Sequence, residues 1–177
     1  MKTVLYVIAL AMLVSSLGYA QTGQSMTNTA QFTVTQAISI TALPGDFGEL
    51  LAGTTYTITP DGSIAPDNGF GSVVPIEWDV TGQVDASVLV TFGLPGFFTS
   101  PGSAHVPYTV SEHSAGWAQA FIAPNAPYNP IDPRVPNTIT LIGGAATVQL
   151  GGVLAVPVTA NGVYTAQFVL TASYTGL

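Results

Sequence analysis

The sequence predicts an all-β protein, an antiparallel β-sandwich of immunoglobulin-like or fimbrial-like type, and three observations carry that prediction. Apolar residues recur with a period of two rather than 3.6 over most of the chain. The segments showing that period are short and separated by Gly-Gly, Asn-Gly and Asp-Gly pairs, which suit tight turns because glycine takes positive φ without penalty. Beyond the first twenty residues there is no amphipathic helical pattern of useful length.

The first twenty residues read as a cleaved signal peptide. Lys2 supplies a short positive start, Val4 to Leu17 form an apolar run broken only by Ser15 and Ser16, and Gly18 and Ala20 put small side chains before Gln21. The run is shorter than the roughly 20 apolar residues a bilayer span needs, so the expectation is export and release, with residues 21–177 as a single secreted domain. That domain is long enough to bury a core without staples. It has none, since the chain contains no cysteine.

From the N-terminus, QFTVTQAISIT places Phe32, Val34, Ile38 and Ile40 on one face of a first strand and Gln31, Thr33, Thr35, Ser39 and Thr41 on the other. TYTIT turns Tyr56 and Ile58 inward. PIEWDVTG does the same for Ile76, Trp78 and Val80, with Glu77, Asp79 and Thr81 facing water. ASVLVTF alternates through Val88, Val90 and Phe92. TITLI, ATVQL and GVLAVPV follow, with hairpin turns expected at Gly143-Gly144 and Gly151-Gly152. The last strand is the clearest: after Asn161-Gly162, Tyr164, Ala166, Phe168, Leu170, Ala172 and Tyr174 share one face.

Phe97 to Pro136 departs from the pattern with seven prolines. Proline removes a ladder donor, so the segment is expected outside the central strands. Its aromatic residues argue for order, and we expect a long excursion on the sandwich with a short strand at VPYTV or WAQAFI.

Charge narrows the functional classes. Arg134 is the only basic side chain after Lys2, against nine Asp and Glu, and charged residues make up 6% of the chain. Binding a phosphate backbone takes several Lys or Arg, so nucleic acid is excluded as a partner, and an anionic lipid surface is disfavoured for the same reason. Without lysine after residue 2 there is no Schiff-base chemistry and no Lys–Asn cross-link. A surface with so little charge offers little repulsion between copies, which favours self-association.

Several segments in order resemble a bacterial family of exported β-sandwich domains known as domain of unknown function 4402. These are DFGELLAG (Asp46 to Gly53), ITPDGS (Ile58 to Ser63), IEWDVTG (Ile76 to Gly82) and the closing GGVLAVPVTANGVYTAQFVLTASY (Gly151 to Tyr174). The resemblance implies a sandwich fold and supplies no catalytic residues. Its last strand, ending on a near-terminal tyrosine, is also similar to that of pilus and fimbrial subunits, which assemble by lending an N-terminal strand to a neighbour. Here QTGQSMTNTA has only Met26 as a large apolar residue, which leaves the Phe32 to Ile40 run as the stretch to lend.

Candidate chemistry is sparse. His105, Glu112 and His113 are the only grouping of zinc-ligand types, but adjacent Glu112 and His113 cannot easily share one metal and the third sits in a proline-rich loop. Asp61, Asp67 and Asn68 offer oxygen ligands for calcium without the D-x-D-x-D-G spacing, and fit turn formation better. Glu77 and Asp79 share a strand face as a glycosidase pair would, with no histidine or arginine to tune them. No G-x-S-x-G elbow is present. The expectation is a protein that is not an enzyme and needs no cofactor. Its contacts are either assembly residues such as Phe32 and Tyr174, or glycan-stacking aromatics Trp117, Tyr108 and Tyr128 in the proline-rich segment. The leading expectation is a subunit of an extracellular fibre or surface layer; the alternative is a monomeric surface adhesin that binds glycan through residues 97–136.

Overall fold

Every strand of the computed structural model pairs antiparallel with its neighbours. The structure describes residues 35–67, 69, 73–119 and 129–175. The expected signal peptide, Phe32 and Val34 lie outside these residues, as do Asn68, Phe121 and Tyr128.

Along the chain come β1 (Ser39–Leu43), β2 (Thr55–Ile58), β3 (Ile64–Ala65), β4 (Ile76–Thr81), β5 (Ser87–Gly93), β6 (Phe97–Phe98) and β7 (Val106–Thr109). Then follow β8 (Ala115–Gln119), β9 (Asn129–Ile131), β10 (Asn137–Thr140), β11 (Ala145–Leu150), β12 (Gly152–Ala155) and β13 (Val169–Tyr174). A single 3-10 turn, Ile142–Gly144, is the one helical element among the described residues. The strands form three sheets, ordered β1-β4-β11-β8-β9, β10-β5-β13 and β3-β2-β12-β7-β6.

Burial follows the period of two wherever the sequence shows it. Tyr56 and Ile58 are buried between exposed threonines in β2, and Ile76, Trp78 and Val80 are buried in β4. The main core draws Trp78, Val80, Ala146, Val148 and Leu150 from the first sheet and Val88, Val90, Ile139 and Leu170 from the second. These two sheets therefore face each other across an apolar layer, an arrangement consistent with a β-sandwich. A second cluster joins Tyr56, Ile58, Phe98, Val106, Tyr108 and Leu154 of the third sheet to Tyr164 and Phe168.

The proline-rich stretch is not an excursion. It supplies β6, β7, β8 and β9, and β8 sits inside the first sheet, between β11 and edge strand β9. The prolines are placed where the ladder does not need them. Pro107 pairs with Phe97 of β6 at a position where β12 has no register partner, and Pro130 lies on edge strand β9.

The glycine pairs also differ from expectation. Gly143-Gly144 does not close a hairpin, because β10 pairs with β5 and β11 with β4 and β8; the turn carries the chain from one sheet to another. Gly151-Gly152 is no turn at all. There one extended segment passes from β11 in the first sheet to β12 in the third, while β8 and β7 make the same passage beside it. A Cβ on Gly151 would collide with the Ile58 carbonyl, and one on Gly152 with the Tyr108 ring. The Tyr108 hydroxyl donates to the Gly151 carbonyl across this crossing, and burial pushes its pKa well above the ordinary phenol range.

Candidate functional site

The last strand and the segment after β1 are the walls of an open groove. The alternation of the C-terminal run holds from Tyr164 to Tyr174: Tyr164, Ala166, Phe168, Leu170, Ala172 and Tyr174 are buried or half-buried, and every residue between them is exposed. The ladder, however, covers only Val169–Tyr174 against β5. Upstream, one bridge ties Thr165 to Thr99, with both backbone bonds at 2.9 Å. Ser103 Oγ donates to the Asn161 carbonyl and holds the turn that begins this wall.

The facing wall starts where Pro44 ends β1, since proline cannot continue the ladder. Asp46 bridges Val74 through N–H···O bonds of 2.9 and 2.7 Å, and its carboxylate accepts from Gly48 N at 2.9 Å, closing a local turn. That turn directs Phe47 inward, where its ring lies 5.9 Å from Phe98. Phe168 meets Tyr108 edge-on at 5.2 Å and Phe98 at 5.8 Å.

Between the walls is a groove of about 1150 Å3 lined by Leu43, Phe47, Trp78, Val156, Tyr164 and Phe168 among others. Its rims carry apolar side chains in water: Leu43 is 40% exposed, Val163 81% and Val169 54%. Among the described residues, β1 has only β4 beside it and β13 only β5. The groove is therefore flanked by two strands that each present one edge without a ladder, above an apolar floor. An unpaired edge over apolar surface is a template for another strand, and exposed apolar rims mark an interaction site. The Tyr164 hydroxyl is shielded from solvent and has no hydrogen-bond partner among the described residues.

The residues singled out in the sequence are not brought together. Tyr108 is 4% exposed and belongs to the core, so it cannot stack on a sugar. Trp117 is half-buried on β8 and packs against the main core. Tyr174 is half-buried, and its hydroxyl accepts from Gln83 N at 2.7 Å and donates to the Gln36 carbonyl at 2.6 Å. Gly82 makes room for it, since a Cβ there would lie 2.5 Å from that hydroxyl. Phe32 and Tyr128 lie outside the described residues.

Glu77 and Asp79 do not simply face water. Both are half-buried, Gln149 Nε2 donates to Glu77 at 2.5 Å, and Thr147 Oγ1 donates to Asp79 at 2.9 Å. The register of β4 against β11 pairs these residues directly, so they form a cross-strand polar ladder. Asp61 accepts from Thr59 Oγ1 and Ser63 N in the turn between β2 and β3. Those bonds, the Thr59 one foremost, hold its pKa below the usual carboxylate value. Asp67 accepts from Gly69 N in the same manner. His105 stacks on Phe97 with ring centroids 4.4 Å apart, away from the Glu112–His113 contact of 3.7 Å. Arg134 is held by Asp132 through two side-chain bonds of 2.8 Å.

Residues 43–50 carried no sequence signal as one wall of a site. The available hint was the last strand itself, whose apolar face begins at Tyr164, five residues before its ladder. No family model matches this chain, and neither a curated protein nor a solved structure is similar to it. The resemblance to domain of unknown function 4402 therefore rests on the sequence motifs alone.

Proposed function

We propose that the chain is an exported, non-catalytic structural subunit, a fimbria-like β-sandwich that associates with copies of itself into an extracellular fibre or surface layer. The observation that carries this reading is the groove: a cleft of about 1150 Å3 with apolar and polar lining, flanked by two strand edges that carry no ladder among the described residues. A protein working as a lone monomer gains nothing by keeping such edges open, because they invite pairing with other chains. A subunit that takes an extended strand from its neighbour needs them. The near absence of charge supports close packing of copies, and the leader-like residues 1–20 support export. The aromatic residues of 97–136 lend less to a glycan-binding role, since Tyr108 is committed to the core.

The test is sizing and negative-stain microscopy of the chain beginning at Gln21 over rising concentration. Oligomers or filaments that grow with concentration are the expected result. Monomers alone at high concentration, together with no fibre on producing cells, would end this reading.

A further inference from the structure

An asparagine followed by glycine can alter its own covalent structure, because the glycine nitrogen can attack the side-chain amide with no side chain in the way. The chain has two such pairs, Asn68-Gly69 and Asn161-Gly162. The two dipeptides are the same, but their surroundings are not. Gly69 N donates to the Asp67 carboxylate at 2.9 Å, so its nitrogen is tied. Gly162 N makes no hydrogen bond among the described residues.

The other groups that would react at Asn161 are open as well. Its Nδ2, the nitrogen that has to leave, has no partner among the described residues. Asn137 Nδ2, by contrast, donates to the Asp132 and Val135 carbonyls at 2.6 and 2.7 Å. Asn161 Oδ1 lies 3.2 Å from Ser103 Oγ, a hydroxyl it shares with its own main-chain carbonyl at 3.1 Å. A donor there draws electrons from Cγ and steadies the charge that builds on Oδ1 during attack. Gly162 sits at φ +91°, which suits glycine, and both residues are exposed to water. At Asp61-Gly62 the reacting groups are engaged instead. The carboxylate accepts from Thr59 Oγ1 and Ser63 N, and Gly62 N donates to the Thr59 carbonyl at 3.0 Å.

We propose that Asn161 is a self-modifying site, converted to aspartate and isoaspartate by attack of the Gly162 nitrogen on its side-chain amide, and that this conversion ends a subunit's competence to assemble.

Hydroxide takes the Gly162 N–H proton, and the nitrogen's electron pair forms a bond to Asn161 Cγ. The C–Nδ2 bond then breaks, and the amide nitrogen leaves as ammonia after taking a proton from water, which restores the hydroxide. A five-membered imide remains. Water opens it at Cγ to give aspartate, or at the main-chain carbonyl to give isoaspartate. The net change is one amide and one water to one acid and one ammonia, with no oxidation or reduction.

The effect on assembly rests on the reading above; the chemistry does not. Asn161 and Gly162 line the groove and lead into the wall that the Thr165–Thr99 bridge fixes. Either product adds a carboxylate to a groove already lined by Asp46 and Glu49. Isoaspartate also adds one carbon to the main chain just ahead of that bridge, which displaces the wall.

The experiment ages the chain beginning at Gln21 in warm, mildly alkaline buffer, folded and in denaturant. Both pairs are followed by peptide mapping with mass spectrometry and enzymatic labelling of isoaspartate. In denaturant the two should convert alike. In the folded chain Asn161 should convert about tenfold faster than Asn68, since the Gly69 N–H must first leave a charged acceptor. Equal or reversed rates in the folded chain, or an Asn161 that persists, overturn the site. Sizing then compares fresh and aged samples. The aged chain should associate about tenfold more weakly, as a like charge enters the groove. Aged Asn161→Gln, whose attack would need a slower six-membered ring, should associate as it does when fresh. Asn161→Ser, with no amide to lose, gives the same control should the longer side chain disturb the turn. Full association of the converted chain, or an equal loss in both aged controls, overturns the assembly consequence. A fresh unsubstituted chain that never associates removes the assembly reading and that consequence together, while the peptide map still decides the chemistry.

Discussion

Two stretches with the same alternating sequence pattern end in opposite situations. At the Gly151-Gly152 crossing, β11 and β12 each have a strand on both sides, Leu150 is fully buried and Leu154 is 3% exposed. At the groove, residues 163–168 alternate just as cleanly but carry one bridge on one side, and Val163 is left 81% exposed. Alternation thus specifies which face a strand turns to the core. How many neighbours a strand has is a separate property, set by what approaches its edges. In the first case two glycines allow neighbours to close in from both sides. In the second, one seam carries no ladder among the described residues.

The comparison can be broken most forcefully at the closed end. Gly151→Ala sets a Cβ against the Ile58 carbonyl, where neither backbone can give way, and should cost about 4 kcal/mol or more. Thermal unfolding followed by far-ultraviolet circular dichroism checks this, and an unchanged midpoint would mean the crossing is loose. The open end predicts the reverse split between folding and association. Ala166→Asp places a charge on the inward face of the groove wall, so assembly should fall at least about tenfold while the monomer loses about 1 kcal/mol. Sizing alongside thermal unfolding separates the two effects; equal losses in both would show that this wall is core rather than binding surface.

A smaller effect sharpens the closed end. Tyr108→Phe leaves the Gly151 carbonyl without its donor inside the core and should cost about 1–2 kcal/mol, measured by denaturant unfolding. The smallest concerns Arg134, the one Lys or Arg after Lys2. Arg134 holds the Asp132 carboxyl at a pKa of about 2, below its ordinary value of 3.8. A carboxyl whose pKa is depressed by folding contributes above its unfolded value and loses that contribution as the pH falls through the folded one. The pair therefore contributes fully above about pH 4 and fades towards pH 2. Because it is exposed, the fall in unfolding midpoint over that window should be slight, and Arg134→Gln should abolish it.

Much of this fold is written in the period of two. The inward faces of β2, β4 and β5 and the inward set from Tyr164 to Tyr174 all follow directly from it. What the pattern does not carry is pairing. The proline-rich stretch reads as a loop because proline removes a donor, yet Pro107 and Pro130 stand where no donor is called for. Gly-Gly reads as a turn because glycine permits one, yet at Gly151 the demand is for close approach in an extended chain. Glu77 and Asp79 read as solvated because their partners, Gln149 and Thr147, lie some 70 residues away in sequence. The groove escapes the sequence for a related cause: an unfilled place beside a strand leaves no mark on the strand's own residues.

The Tyr174 hydroxyl has a mechanical consequence. It joins the backbone just ahead of β1 to the loop after β4, while β1 itself is zipped to β4 over five residue pairs. Antiparallel ladder bonds stand perpendicular to their strands, so a pull on the chain before Thr35 along β1 loads those pairs together rather than peeling them singly. The phenol passes part of that tension straight to the C-terminal strand, which borders the groove. A row of such subunits would bear stretch in shear from the first strand of each to the last.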